Sequence, residues 1–185
     1  MCVCPFEDDA TAINTVVLLL QNGIPLSRIE YVDSQSIRAS NQYSKSDLLV
    51  KPSLFIEISG NQTIVEPIAE LVKEIVVDNG ALDFKHSSIM EERSRLWKAR
   101  HDLYYACRNF DTRQNTRALI TDVCVPISKL PEIILTMRKY LDQYGINGSS
   151  FGHVGDGNFH SVITYDPNDS VESGNVLMIS EMIAE

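Results

Sequence analysis

The dipeptide Asp156-Gly157 lies between two apolar runs, Ile146–Phe151 and Val162–Tyr165, and it constrains this chain more than any other feature. A two-residue type I′ turn needs φ > 0 at both central positions, and Asp-Gly is a strong signal for it. Such a turn folds the two runs into an antiparallel pair. With a two-residue loop, Gly155 faces Asn158, Val154 faces Phe159 and His153 faces His160. Directly opposed residues share a face, with Cβ atoms about 4.5–5.5 Å apart. The two imidazoles then converge on one point, which is half of a metal site or half of an acid/base site. Two polar residues on a solvated hairpin face would show the same spacing. Asp156 and Asn158 are also ordinary turn residues.

Read in order, the chain repeats strand and helix. Residues 2–6 form a strand broken by Pro5. A helix follows from about Asp8 to Gln21, stopped by Asn22-Gly23. Ser27–Val32 is a strand, and Asp33 caps a helix to about Tyr43. Leu54–Ser59 alternates as a half-buried strand. Thr63–Val77 is an amphipathic helix with Ile64, Ile68, Leu71, Val72 and Ile75 on its stripe. Ala81–Phe84 is a short strand, and Ser87 or Ser88 caps the next helix. Ala118–Val125 is a strand closed by Pro126. Ser128 caps a helix to Tyr144, with Pro131 in its first turn. The hairpin and a last amphipathic helix, with Val171, Val176, Leu177, Ile179 and Met182 as its apolar residues, complete the chain. Segments 27–79 and 117–166 share a strand–helix–strand pattern. Short loops and the hairpin predict an α+β fold with ferredoxin-like elements, an antiparallel sheet covered by helices on one face.

The 185 residues are enough for one domain with a real core. A net charge of −9 disfavours nucleic acid and anionic membranes as partners. No apolar run approaches the roughly 20 residues of a transmembrane helix, and no targeting signal is visible. The four cysteines, Cys2, Cys4, Cys107 and Cys124, lack zinc-ribbon spacing and read as free thiols.

Two histidines seldom hold a catalytic metal alone, so a third ligand is expected. Glu57 and Asp122, both on predicted strands, are candidates. His86 and His101 read as surface or packing residues. The glycines of Gly152–Gly157 lack a following Lys-Ser/Thr and precede a strand, so they do not make a phosphate loop. No serine nucleophile elbow is present, and a metal-dependent hydrolase lacks an activating carboxylate. Arg100 is the second site candidate, because its planar fork suits a small organic acid. Trp97, one turn earlier, is placed to shield it. The competing reading is a solvated helix face with Glu91, Glu92, Arg93 and Arg95 in ion pairs.

Four segments carry a family resemblance: Arg28-Ile29-Glu30, Glu91–His101, Thr121–Ser128 and Gly152–His160. From about residue 5 onward the chain resembles the C-terminal cap domain of FAD-linked D-lactate dehydrogenases of the mitochondrial type, flavoproteins of the vanillyl-alcohol oxidase kind. The resemblance implies an FAD-linked oxidase C-terminal domain fold. It implies that residues 1–26 are the end of an FAD domain and a connecting helix, and that 27–185 are a substrate-binding cap, incomplete at its C-terminus. It implies FAD held mainly by an upstream domain, and a divalent zinc or manganese ion on His153 and His160. Arg100 would grip the carboxylate of a 2-hydroxy acid, D-lactate being oxidised to pyruvate. Cytochrome c is the implied electron acceptor, and the mitochondrion the implied location.

The family also carries a Gly-Glu-His-Gly motif beyond the final helix. Its glutamate is the third metal ligand and its histidine the base, and both fall beyond Glu185. No residue here is therefore expected to be the catalytic base. The alternative is an inactive fragment or binding module that keeps only the fold. Relatives acting on longer dicarboxylic acids carry lysine two residues before the strand aspartate. Ile120 at that position implies a monocarboxylate.

Overall fold

The computed structural model describes residues 1–184. Seven strands form one sheet: β1 (Cys2–Pro5), β2 (Arg28–Val32), β3 (Ser53–Glu57), β4 (Lys85–His86), β5 (Arg117–Cys124), β6 (Asn147–Gly152) and β7 (Asn158–Tyr165). Their spatial order is β4-β1-β3-β2-β6-β7-β5, and every neighbouring pair is antiparallel. The helices are α1 (Asp9–Gln21), α2 (Ser34–Ser44), α3 (Gln62–Asp78), α4 (Met90–His101), α5 (Leu103–Arg108), α6 (Leu130–Gln143) and α7 (Ser170–Ala184). This is the mixed helix and antiparallel-sheet architecture that the turn chemistry predicts.

Helix starts follow their caps. The Asp8 carboxylate accepts the Thr11 backbone N–H at 2.8 Å, Asp33 that of Ser36 at 2.7 Å, and Asn61 that of Ile64 at 3.1 Å. Each satisfies a donor that the first helical turn leaves free. Pro131 stands in the first turn of α6, and Gly145 ends that helix at φ +62°. Helix α6 departs from this rule, with Lys129 rather than the expected Ser128 at its N-cap and no side-chain bond there, and so does α4. The N-cap of α4 is Ile89, and Ser87 instead takes the Ile89 N–H and bonds Glu92.

One face of the sheet carries α1, α3 and α6. There Cys2, Cys4, Ile29, Tyr31, Leu54 and Ile56 pack against Ile13, Val16, Val72 and Ile134. Towards β5, the same face meets α7 through Ile163, Val176 and Ile179. The other face is covered as well. Val3, Val32, Phe55, Phe151 and Val162 pack under Ile37 of α2 and Leu103, Ala106 and Cys107 of α5. The sequence placed helices on one face; α2, α4 and α5 add the second layer. Strand β3 is accordingly buried on both faces rather than half-buried.

Three local expectations shift. The buried face of α3 holds Ala69, Val72 and Val76, while Ile64 and Leu71 are exposed. Ala81 makes one bridge with Phe6, and the short strand lies later, at Lys85–His86. On α7, Val176 and Ile179 are buried but Val171 and Leu177 are exposed. All four cysteines are free; Cys2, Cys4 and Cys107 are buried and Cys124 is exposed. Burial pushes the Cys2 thiol up to about 11 and that of Cys107 up to about 12. Among the described residues, no helix is long and apolar enough to cross a membrane.

Candidate active site

The turn after β6 departs from the register expected of a two-residue loop. The β6–β7 ladder pairs Phe151 with His160, not His153 with His160. Strand β6 stops at Gly152, and Val154–Asp156 form a 3-10 turn closed by Gly157 at φ +78°. His153 thus lies in the connection, and its carbonyl accepts the N–H groups of Asp156 and Asn158 at 2.9 and 3.2 Å. The physical reason is that only Gly157 takes a positive φ. Asp156 stays in a right-handed turn, so a longer loop replaces the type I′ turn. An alanine Cβ at Gly157 would also overlap the Val125 carbonyl oxygen.

The two imidazoles nevertheless meet, with ring centroids 5.8 Å apart and planes at 88°. They arrive by different routes. His160 stands on the strand face beside Phe151, on the side covered by α2 and α5. His153 is brought to the same place by Glu30 of β2. Its Nδ1 lies 2.6 Å from Glu30 Oε1. Glu30 Oε2 accepts from Arg100 Nη2 at 2.7 Å. The Glu30 side chain is only 2 % exposed and that of Arg100 only 7 %, so this is a buried ion pair. Burial lowers the Arg100 guanidinium from its ordinary value, and Glu30 opposes that shift. The guanidinium also lies over the Phe151 ring, 4.9 Å from its centroid. Its Nε is buried without a partner.

Across the β5–β7 pair, Asp122 stands opposite His160, with its Oδ1 3.1 Å from His160 Nδ1. Partial burial lowers the His160 pKa below its ordinary value; Asp122 pulls the other way and His153 adds to the lowering. Each imidazole thus has a carboxylate at Nδ1, the arrangement that orients a metal-binding histidine. Among the described residues, no group of three His, Cys, Asp or Glu side chains stands at metal-binding spacing.

The other candidates fall elsewhere. Glu57 is engaged by Arg93 Nη2 at 3.0 Å and Trp97 Nε1 at 3.3 Å. Trp97 does not shield Arg100. It carries the Arg28 guanidinium 4.5 Å from its ring centroid and stacks on His101. Phe151 covers Arg100 instead. The solvated ion-pair face expected of α4 is not formed by Arg93, which reaches Glu57 of β3, nor by the buried Arg100. His86 and His101 are exposed and stand outside the cluster.

Glu30 is the residue that site reasoning missed, although Arg28-Ile29-Glu30 was among the distinctive segments. Its signal was a lone carboxylate inside the apolar strand Ile29–Val32. A charged residue at such a position, once buried, must be paired.

The sequence profile of FAD linked oxidases, C-terminal domain, matches residues 1–185. The chain belongs to that family. A protein of Danio rerio named probable D-lactate dehydrogenase, mitochondrial, is 43 % identical over 182 residues, which are 98 % of this chain and 36 % of that protein. An Arabidopsis thaliana protein named D-lactate dehydrogenase [cytochrome], mitochondrial, is 33 % identical over 166 residues, 90 % of this chain and 29 % of its own length. This member of the family thus spans about a third of the curated relatives it matches. Among solved structures, 4-ethylphenol oxidase from Gulosibacter chungangensis superposes with a TM-score of 0.67 at 14 % identity, covering 98 % of this chain and 42 % of that one. p-Cresol methylhydroxylase gives 0.63 at 15 % identity, covering 98 % and 42 %. At such identities the likeness is one of fold alone.

Proposed function

We propose that this family member is the substrate- and metal-binding part of a flavin-dependent D-2-hydroxy acid dehydrogenase that oxidises D-lactate to pyruvate. The observation that carries the reading is the convergence of Arg100, His153 and His160, each held by a carboxylate, at one place on the sheet. Arg100 binds the acid's carboxylate through donors that Glu30 leaves free. Ile120 shares its strand face with Asp122 and is 53 % exposed. It offers no charge for a second carboxylate, which suits a short monocarboxylate.

His153 and His160 are the proposed ligands of a divalent zinc or manganese ion. The donor set fits two of the usual three positions: both rings use Nδ1 on a carboxylate, which leaves Nε2 for the cation. When bound, the ion polarises the 2-oxygen and lowers the hydroxyl pKa. FAD, held mainly by an upstream domain, supplies the hydride acceptor. None of these 185 residues is assigned as the general base. The cytochrome-type acceptor and mitochondrial setting follow the names of the relatives.

The test is a titration of Zn²⁺ or Mn²⁺ against wild type and His160→Ala. Wild type should bind and the variant should lose at least about tenfold in affinity. Equal affinities would refute the metal assignment. The chain alone should be colourless and fail to reduce a dye with D-lactate; bound flavin would refute the placement of the FAD site upstream.

A further inference from the structure

We infer that β5 is a docking edge for a second copy of this chain, the two β5 strands pairing antiparallel about a two-fold axis at Thr121. The sheet has two edges, and they differ. Strand β4 has only Lys85 and His86, short and carrying a lysine as protected edges do. Strand β5 has eight residues and follows β7 without a bulge, from Arg117 opposite Tyr165 to Cys124 opposite Asn158. It holds no proline, and its Ile120 is exposed. Among the described residues, no strand lies on its outer side. A long, regular, apolar edge is a template for another strand.

The register says which backbone groups are open. The Val125 N–H donates to the Gly157 carbonyl at 2.9 Å. Hydrogen-bonded and non-hydrogen-bonded pairs alternate along antiparallel strands, so Val123, Thr121 and Leu119 also turn their backbone groups to β7. Those of Ala118, Ile120, Asp122 and Cys124 face outward. The side chains of Leu119 and Val123 lie towards α6 and α7, where Thr121, Ile133 and Met182 help to line a groove of about 890 Å³. The Thr121 hydroxyl is buried and has no hydrogen-bond partner among the described residues.

A second copy supplies what is missing. With the axis normal to the sheet, Thr121 stands opposite the partner's Thr121 as a non-hydrogen-bonded pair. That is the closer kind, with Cα atoms about 4.5 Å apart, and the two hydroxyls can bond each other. Leu119 then faces the partner's Val123, apolar against apolar. Ile120 faces the partner's Asp122 and Ala118 the partner's Cys124 in hydrogen-bonded pairs, so each outward backbone group of β5 is satisfied. Any other strand would need a hydroxyl with an apolar residue two places to either side. Strand β5 has that pattern itself.

The experiment is sedimentation of the chain over a range of concentration and salt. Wild type should dimerise, and salt should tighten the dimer, because each copy carries −9. Ile120→Pro removes an outward N–H that no bond within the chain uses. It should keep the circular dichroism of wild type and weaken the dimer about tenfold, one lost bond per copy. Ala118→Cys places a thiol opposite the partner's exposed Cys124, and diamide should oxidise the two to a disulfide-linked dimer on a non-reducing gel. Within one chain these positions lie about 20 Å apart along the strand, too far to bridge. A wild type that stays monomeric refutes the inference. So does an Ile120→Pro dimer as tight as that of wild type, which would place the contact on another face. If Ile120→Pro does not fold, the cross-link decides, and its absence in a dimeric Ala118→Cys refutes the pairing.

Discussion

Replacing Gly157 by alanine separates backbone strain from steric overlap. Gly157 sits at φ +78°, and its carbonyl accepts the Val125 N–H at 2.9 Å. A methyl group there would run into the Val125 carbonyl oxygen. Left-handed backbone costs a non-glycine residue about 1–2 kcal/mol. Relieving the overlap moves backbone rather than a flexible side chain, at about 1–3 kcal/mol. Disturbing the Val125 bond costs a further 0.5–1.5 kcal/mol or so. Gly145 is the control: it stands at φ +62°, and an added Cβ would meet nothing within 4 Å. Gly145→Ala should therefore show the strain alone, and Gly157→Ala about 2–4 kcal/mol more. Urea unfolding at fixed pH reads both. In a thermal melt each kcal/mol corresponds to about 2–4 °C for a chain of this size. Equal losses in the two variants would refute the close approach of β5 to the turn.

Further outcomes test the packing and the buried charges. Val72 is fully buried on α3 and Leu71 is exposed. Val72→Ala should cost about 2–3 kcal/mol and Leu71→Ala less than about 0.5, in urea unfolding; equal costs would restore the stripe read from sequence. Asp33 is fully buried, and desolvation pushes it up to about 6 despite the N–H groups of Ser36 and Ser150. The folded state then holds a proton that the unfolded state has released, so its contribution is full below about pH 4 and is lost as pH rises through 6. Asp33→Asn keeps the cap and should remove that decline of up to roughly 3 kcal/mol, seen in denaturation midpoints between pH 4 and 7. An unchanged pH profile would refute the assignment.

What the sequence disclosed follows from what is local. Asp8, Asp33 and Asn61 announce helices because a cap bonds within its own turn. Asp156-Gly157 announced a reversal for the same reason. The register of that reversal was hidden, because it depends on Val125 of another strand occupying the space beside Gly157. The α3 stripe was misplaced because Ile64, Val65, Ile68, Leu71, Val72, Ile75, Val76 and Val77 surround the helix, and periodicity alone cannot choose a face among them. His153, His160 and Arg100 were legible as chemistry. Glu30 was not, because its partners lie 70 and 123 residues away and nothing in the strand itself names them.

The distribution of thiols has a practical side. Three of the four are shut inside the protein, and the remaining one, Cys124, lies at the end of β5 opposite Asn158, with its Sγ 3.9 Å from the Asp156 carbonyl oxygen. A maleimide dye would therefore attach at one native position without any engineering. It would sit against the loop that presents His153, where its emission would report on that loop's surroundings.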